Sequence, residues 1–255
     1  MKKLLCAIIL VLILFVACEK EVINPLPSIL TNYYPKGQTN QIIKHKYYSL
    51  SYSEADEQAE WVAYLLTSDM PSGKVERTDD FRPDPLVTTG SAALTDYAGS
   101  GYDRGHMCPA EDMSFSEEAM SETFYLSNMS PQDPSFNRGI WSSLEAQVRD
   151  WASDYDSLFV ITGPVLTSNK GNIGTNKVSV PKYYYKVILD YCQPDIKMIA
   201  FLLPNEKGVG TLVSYAVTTD SVEMITEIDF FSALPDNIEA TLESTCKPAE
   251  WTFNK

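Results

Sequence analysis

One stretch of this chain reads Ser100-Gly101-Tyr102-Asp103-Arg104-Gly105-His106 and contains one of only two histidines among 255 residues. Imidazole is the side chain most easily poised for proton abstraction near neutral pH, and an arginine is a permanent cation that suits phosphate. The stretch therefore presents His106 as a candidate general base, with Arg104 beside it as a candidate phosphate ligand.

Further along the chain, a second run reads Phe136-Asn137-Arg138-Gly139-Ile140-Trp141-Ser142-Ser143-Leu144-Glu145-Ala146-Gln147-Val148-Arg149. It contributes an amide oxygen at Asn137, a carboxylate at Glu145 and two guanidinium groups. A base, oxygen ligands for a cation and several arginines are the components of a metal-dependent phosphodiesterase.

This second run predicts a helix beginning near Asn137. At roughly 100° per residue, one apolar stripe would face the core. It consists of Ile140, Leu144, Val148 and Trp151. Asn137, Glu145 and Arg149 fall together on the adjoining flank, the last two one turn apart. One rigid element would thus present a cation ligand, a carboxylate and a phosphate clamp along a single line.

Together the two runs resemble the DNA/RNA non-specific endonucleases of the ββα-metal superfamily, whose signature is Asp-Arg-Gly-His followed by an Asn, a Glu and an Arg. Four blocks stand in family order: Arg77-Thr78-Asp79-Asp80-Phe81-Arg82-Pro83-Asp84-Pro85, Asp103-Arg104-Gly105-His106, Leu126-Ser127-Asn128-Met129-Ser130-Pro131-Gln132 and the Asn137 run. The resemblance implies an α+β fold with a mainly antiparallel central sheet flanked by helices. It also implies an endonuclease that cuts DNA and RNA with little sequence preference.

The resemblance further implies the roles of individual residues. His106 would remove a proton from the water that attacks phosphorus, and Asn137 would be the direct ligand of Mg²⁺, or of Mn²⁺ in its place. Glu145 would hold waters bound to that ion. Arg77 and Arg149 would stabilise charge on the transition state.

Simpler structural roles compete with these. Asn137 could only cap its helix. Glu145 could form an ordinary helical ion pair with Arg149. Arg82 competes with Arg77 for the phosphate.

Three residues are expected to contact substrate: Arg104, Arg138 and Asn128. Two roles stay open for Asn128, which either orients the substrate or His106, or only satisfies a turn. Asp103 is expected to bind backbone amides, and His45, which lies between two lysines, is expected to be solvated.

Composition limits the class of protein. With 44% apolar residues the chain can bury one sizeable core. Its net charge of −14 should repel nucleic acid. All five arginines nevertheless lie between residues 77 and 149, so a local cationic site is expected inside a negative envelope. This distribution predicts weak ground-state binding with a strong dependence on salt.

Two other functions remain open: a catalytically silent surface lipoprotein that binds nucleic acid, and a phosphodiesterase acting on small nucleotides. The first has no physical need for the complete set of Arg77, His106, Asn137, Glu145 and Arg149. DNA and RNA are the expected partners, and a homodimer is left open.

The N-terminus predicts export. Residues 1–18 combine Lys2 and Lys3, an apolar stretch, and Phe15-Val16-Ala17-Cys18, which resembles a bacterial lipobox with Phe where Leu is usual. A lipid on Cys18 would tether the protein to an envelope membrane, at the periplasmic side or the cell surface. Residues 19–44 would form the tether and residues 45–255 the nuclease domain.

Three cysteines lie in the predicted nuclease domain: Cys108, Cys192 and Cys246. One disulfide is expected in an oxidising compartment. The pair Cys192–Cys246 is weakly preferred, and the other pairings stay open.

Apolar and aromatic patterning predicts the remaining elements. Strands are expected at residues 47–52, 61–66, 158–162, 183–190, 197–203 and 211–218. Residues 54–66 could instead be helical. Helices are expected at 116–120, 220–231 and 235–243, the second opened by a capping box at Asp220.

Overall fold

A computed structural model describes residues 33–37, 40–191 and 196–254. The predicted leader, its lipid-attachment residue Cys18 and Cys192 lie outside these ranges. Within the described ranges, no helix combines the length and the apolar character needed to cross a membrane.

A seven-stranded antiparallel sheet forms the centre of the molecule. Its strands, in spatial order, are β1 (Gln41–Lys44), β2 (Ser49–Ser53), β3 (Gln58–Thr67), β6 (Ser157–Pro164), β9 (Tyr183–Asp190), β10 (Lys197–Pro204) and β11 (Ala216–Val217). Two ribbons complete the strands: β4 (Asp103–His106) with β5 (Met129–Gln132), and β7 (Asn169–Ile173) with β8 (Val178–Pro181). The predicted α+β class with a mainly antiparallel sheet is confirmed.

The sheet buries both of its faces. Neighbouring side chains of a strand point to opposite sides, because a strand repeats every two residues. On one side, Tyr64 and Val160 belong to the first and larger core. On the other, Ala63 and Ile161 belong to the second core. Burial on both sides explains why the central strands are apolar almost without interruption.

Helices cover the two faces. The described α-helices are α1 (Leu94–Tyr97), α2 (Glu117–Glu122), α3 (Ser142–Tyr155), α4 (Thr219–Thr226) and α5 (Asp236–Glu243). α3 packs Leu144, Val148 and Trp151 into the first core, three of the four positions of the predicted stripe. α4 and α5 pack Val222 and Leu242 against the second core.

The predicted strand at 211–218 is wrong over most of its length. The chain forms a 3₁₀ turn at Leu212–Tyr215 and pairs only through the two-residue β11. The hydroxyl of Ser214 donates to the carbonyl of Thr211 at 2.6 Å, a local bond that competes with strand pairing.

The start and the end of α4 also differ from the prediction. Its N-cap is Thr218, whose hydroxyl accepts the backbone N–H of Ser221, so the capping box does not begin at Asp220. The helix ends before Glu227, which has a left-handed φ of 61°, rather than near residue 231.

The folded domain begins before residue 45. The ring of Tyr33 packs against Phe159 at a centroid distance of 5.4 Å. Lys36 and Asp229 exchange backbone hydrogen bonds of 2.8 Å, and β1 forms one edge of the sheet. The stretch just before residue 45 is therefore part of the domain, where the sequence predicted a tether.

The two cysteines of the domain that the structure describes are both free thiols: Cys108 is buried and Cys246 is exposed. Cys246 follows α5 at the surface. Cys192, the weakly preferred disulfide partner of Cys246, lies outside the described residues.

His45 is buried, contrary to the expectation that it is solvated. Its Nε2 lies 2.9 Å from Oδ2 of Asp84, and its ring stacks on Tyr125. Ser127 donates to the same carboxylate. Burial alone would raise the pKa of Asp84, but the interactions with His45, together with hydrogen bonds from Ser127 and the backbone of Leu86, lower that pKa. The pair ties the end of β1 to the loop that leads toward the Asp-Arg-Gly-His run.

We predict that His45→Ala lowers the free energy of unfolding by about 3–5 kcal/mol, because it leaves the Asp84 carboxylate buried without its main partner. Urea denaturation at pH 7 measures the change. Lys44→Ala is the control, since Lys44 is exposed and its loss should matter by less than about 0.5 kcal/mol. A loss below about 1 kcal/mol for His45→Ala would contradict a stabilising role for the pair.

Candidate active site

The ribbon of β4 and β5 holds the Asp-Arg-Gly-His run. Gly105 lies opposite Ser130 and His106 opposite Met129 in antiparallel register. A Cβ atom on Gly105 would lie 2.1 Å from the side chain of Gln132, so only glycine fits there. The glycine of the motif thus permits the close packing on which the position of its histidine depends.

The run from Asn137 onward is helical but does not form one helix. A wide helical turn, Phe136–Trp141, precedes α3. Gly139 interrupts that turn with φ −116° and ψ −113°, a conformation that its missing Cβ allows. Helical structure thus begins near Asn137 as predicted, but the single rigid element is wrong, because Asn137 and Glu145 stand on two helical segments separated by the kink at Gly139.

These segments and the ribbon border a cleft of about 560 Å³. Six of the residues singled out from the sequence line it: Arg77, Arg104, His106, Asn137, Arg138 and Glu145. Arg82 points elsewhere, because its guanidinium binds Asp80 and the carbonyl of Ser121. The structure thus brings together a base, an amide, a carboxylate and three guanidinium groups.

His106 is held neutral in this cleft. Its ring meets Phe124 edge-on at 5.0 Å, and its Nε2 is buried without a hydrogen-bond partner in the described part of the chain. Burial, and after it the charges of Arg77 and Arg104, lower the pKa of His106 to about 3. A neutral imidazole is the form that a general base requires.

Asn137 is fixed through its amide nitrogen. Nδ2 donates to Oδ2 of Asp103 at 2.9 Å, and Arg138 donates two bonds, of 2.8 and 2.6 Å, to the same carboxylate. Burial would raise the pKa of Asp103, but the hydrogen bonds from Arg138 and Asn137 lower it. Asp103 therefore orients side chains, whereas the sequence predicted that it binds backbone amides.

The donor set fits a hard divalent cation. No described residue donates to Oδ1 of Asn137, so this amide oxygen is free to be a ligand. Burial raises the pKa of Glu145 to about 7, against the opposing charges of Lys186 and Arg149. A cation near Glu145 would favour its ionised form. Mg²⁺ keeps several waters and therefore needs few ligands from the protein.

Arg149 does not line the cleft. Its guanidinium lies 2.5 Å from Oε2 of Glu111 and 3.1 Å from Oδ1 of Asp112. The predicted phosphate clamp is thus occupied by two carboxylates, and only 17% of its side chain is exposed. In this arrangement Arg149 neutralises the buried Asp112 and pairs with the exposed Glu111 at the edge of the cleft, which corrects the expected direct contact with phosphate.

Asn128 is structural. It is fully buried, and its Oδ1 accepts the backbone N–H of Cys108 at 2.9 Å. Its Nδ2 donates to the carbonyls of Cys108 and Thr123. With its amide satisfied in this way it reaches neither substrate nor His106, so the expected substrate contact is wrong and the turn-supporting alternative is correct.

Three charged residues near the site were missed from the sequence: Glu111, Asp112 and Lys186. Lys186 is fully buried, and its Nζ donates to Oγ1 of Thr162 at 2.5 Å. It interrupts the apolar run of β9, and a lysine in such a run is an available sequence signal, because buried lysines need a partner. Asp112 carried no comparable signal.

Comparisons with known proteins agree with this geometry. The sequence profile of the DNA/RNA non-specific endonuclease family matches residues 27–237. A nuclease from Nostoc sp. is 34% identical over 220 residues, covering 80% of this chain and 78% of that protein. Nuclease C1 from Cunninghamella echinulata is 36% identical over 83% of this chain and 90% of its own length.

A mitochondrial nuclease and a solved structure also match. The mitochondrial nuclease EXOG of Mus musculus is 36% identical over 73% of this chain, which spans 56% of that protein. A chain in the crystal structure of the EndoG/EndoGI complex, which concerns the inhibition of EndoG, superposes with a TM-score of 0.76 at 32% identity. That match covers 81% of this chain and 91% of the solved one.

We predict that His106 stays neutral from pH 8 down to about pH 5, since burial and two guanidinium groups disfavour the imidazolium. The chain has two histidines, so ¹³C-edited NMR of the ring Cε1–H groups gives two resonances. His106→Gln identifies the resonance of His106 by its loss. A midpoint near the ordinary value of about 6.5 would refute the proposed environment.

Proposed function

The chain belongs to the DNA/RNA non-specific endonuclease family and is a sugar-non-specific endonuclease that depends on a divalent metal ion; we propose that His106 is its general base and that Mg²⁺, held by Asn137, is the ion. One observation carries this proposal: a neutral histidine, a free amide oxygen and three arginines line the same cleft.

In the proposed reaction His106 accepts a proton from the attacking water. Nε2 of the ring is closed to solvent, so Nδ1 is the nitrogen that takes this proton. A bond forms between the water oxygen and phosphorus, and the bond from phosphorus to the 3′ oxygen breaks. The products are a 5′-phosphate and, after protonation of the leaving oxygen by solvent, a 3′-hydroxyl.

Arg77 and Arg104 would act on both substrate and base. In the free enzyme their charges keep the pKa of His106 low. A bound phosphodiester is an anion and offsets those charges, so the imidazole gains proton affinity when substrate is present. The same guanidinium groups would stabilise the negative charge that grows on the nonbridging oxygens.

Asn137 would hold the cation through Oδ1, and Glu145 would accept hydrogen bonds from the waters around it. When bound, the ion would neutralise charge on the phosphate and steady the departing oxygen. Asp103 and Arg138 contribute by fixing the amide nitrogen of Asn137, which leaves its oxygen oriented for the ion.

We expect His106→Ala to slow nicking of supercoiled plasmid by about 10²–10⁴-fold without unfolding the protein, because the attacking water loses its base.

Asn137→Ala should raise the Mg²⁺ concentration for half-maximal activity by about 10–100-fold, the range typical of lost support at a metal site. Titrations of Mg²⁺ after EDTA treatment measure both changes.

Asn172→Ala is the matched control, because Asn172 is an exposed asparagine of β7 outside the cleft. Unchanged cutting by His106→Ala would remove the general-base role. A change in stability alone for Asn137→Ala would reduce that residue to a helix-terminal support. If a dinucleotide is hydrolysed as fast as a polymer, the substrate class would be small nucleotides and not nucleic acid polymers.

The place of action is proposed from the sequence: a bacterial envelope, with the enzyme held by a lipid on Cys18. Lys2, Lys3 and the lipobox-like Phe15-Val16-Ala17-Cys18 support this location. A homodimer likewise stays a prediction.

Cys18→Ser should move the nuclease from the membrane fraction to the soluble fraction of expressing cells and abolish its labelling by radioactive palmitate, because the thiol that accepts the lipid is gone. Immunoblots of both fractions measure the shift. Cys6→Ser, which changes a cysteine inside the apolar stretch, is the control and should leave the protein in the membrane fraction. Membrane retention of Cys18→Ser would refute the lipid anchor.

A further inference from the structure

α4 and α5 carry a group of carboxylates on the face of the central sheet opposite to α3. Val222 of α4 and Leu242 of α5 pack on the second core, while Leu144 and Val148 of α3 pack on the first. The two cores lie on opposite faces of the sheet. The carboxylates of α4 and α5 are therefore separated from the cleft by the sheet itself.

Three of these carboxylates converge. Asp220 and Glu223, three residues apart on α4, and Glu243, the last residue of α5, each offer one oxygen, and these oxygens lie within 4.8 Å of one another. Oε1 of Glu223 accepts the backbone N–H of Phe230 at 2.9 Å, which fixes the direction of its side chain. The exposed Asp220 leaves one side of the group open to water.

Glu243 supplies the second observation. It is only 7% exposed, and its Oε1 is buried with no hydrogen-bond partner among the residues that the structure describes. Buried carboxyl groups in proteins are hydrogen-bonded, paired with a cation or bound to a metal. A buried carboxyl group with an unpartnered oxygen, in a cluster of three converging carboxylates, points to a missing positive ligand.

The surroundings are strongly negative. The pKa of Glu243 is raised to about 8, first by its burial and then by the charges of four neighbours: Glu223, Glu239, Asp229 and Asp220. Lys36 acts on the neighbouring Glu239, and no lysine is among the groups that shift the pKa of Glu243. The local potential therefore favours a multivalent cation.

We propose that Asp220, Glu223 and Glu243 bind a divalent cation of the calcium class at a site separate from the catalytic ion. Carboxylate oxygens are the ligands that hard cations prefer. Three carboxylates whose oxygens lie within 4.8 Å of one another suit Ca²⁺, which takes several carboxylate ligands, better than Mg²⁺, which usually binds one or two carboxylates and keeps its waters. Bound there, the ion would join the start of α4 to the end of α5 and stabilise the folded state.

The test compares four forms of the full chain, freed of metal: wild type, Glu243→Gln, Asp220→Asn and Glu239→Gln. Glu239→Gln is the matched control, because it removes the same charge from α5 but no ligand. Equilibrium dialysis against ⁴⁵Ca²⁺ counts bound ions, and thermal unfolding with CaCl₂ or EDTA gives Tm.

Wild type and Glu239→Gln should bind one more Ca²⁺ than Glu243→Gln and Asp220→Asn, or bind it at least about tenfold more tightly. In thermal unfolding, only wild type and Glu239→Gln should show the full increase in Tm with CaCl₂. Glu243→Gln should be at least as stable as wild type in EDTA, and its nicking activity with Mg²⁺ should be retained.

Equal numbers of bound ions and equal gains in Tm for all four forms would overturn the site. A lower Tm of Glu243→Gln in EDTA would also overturn it, since the carboxyl would then have a partner within the protein. Asp220 is exposed, so Asp220→Asn decides the question if Glu243→Gln fails to fold. Loss of catalysis in His106→Ala bears only on the cleft and leaves this site untouched.

Discussion

A network of buried charges beneath the cleft is the interaction on which the rest of the site depends. Lys186 of β9 is enclosed in the first core, and its low pKa, caused by burial, is opposed by the charges of Glu145 and Asp112. Arg149 pairs with Asp112 from α3. Removing any one partner would leave another charge buried without a counter-charge. A buried unpaired charge destabilises the folded state far more than a buried ion pair does. The network therefore fixes the central sheet, α3 and the loop after β4 to one another.

This constraint explains how a protein of net charge −14 handles a polyanion. Two arginines pair with carboxylates outside the cleft: Arg82 with Asp80 and Arg149 with Asp112. The other three line the cleft, where Arg77 also pairs with the exposed Asp79 and Arg138 with Asp103. Nucleic acid binding therefore depends on where these few cations lie more than on total charge, and two of them, Arg77 and Arg104, keep His106 neutral.

Sequence reasoning was most successful where a local pattern has one physical meaning. The content of Val, Ile, Tyr and Phe located β9 and β10, and the apolar stripe located the buried face of α3. It failed where a polar side chain had several partners to choose from. Asn128 hydrogen-bonds the backbone of Cys108 and Thr123 instead of binding substrate, and Asp103 holds the side chain of Asn137 instead of backbone amides.

The sequence by itself determined the chemistry: an imidazole, an amide, a carboxylate and arginines in family order, carried on strands and a helix whose periodicity needs no knowledge of distant contacts. Only the tertiary structure decided which arginines reach the cleft, that His45 is buried against Asp84, and that α4 and α5 bring three carboxylates together. The reason is physical. Periodicity is a property of the local backbone. Whether a charged side chain is buried, paired or exposed depends instead on the distance and burial of groups that lie far apart along the chain.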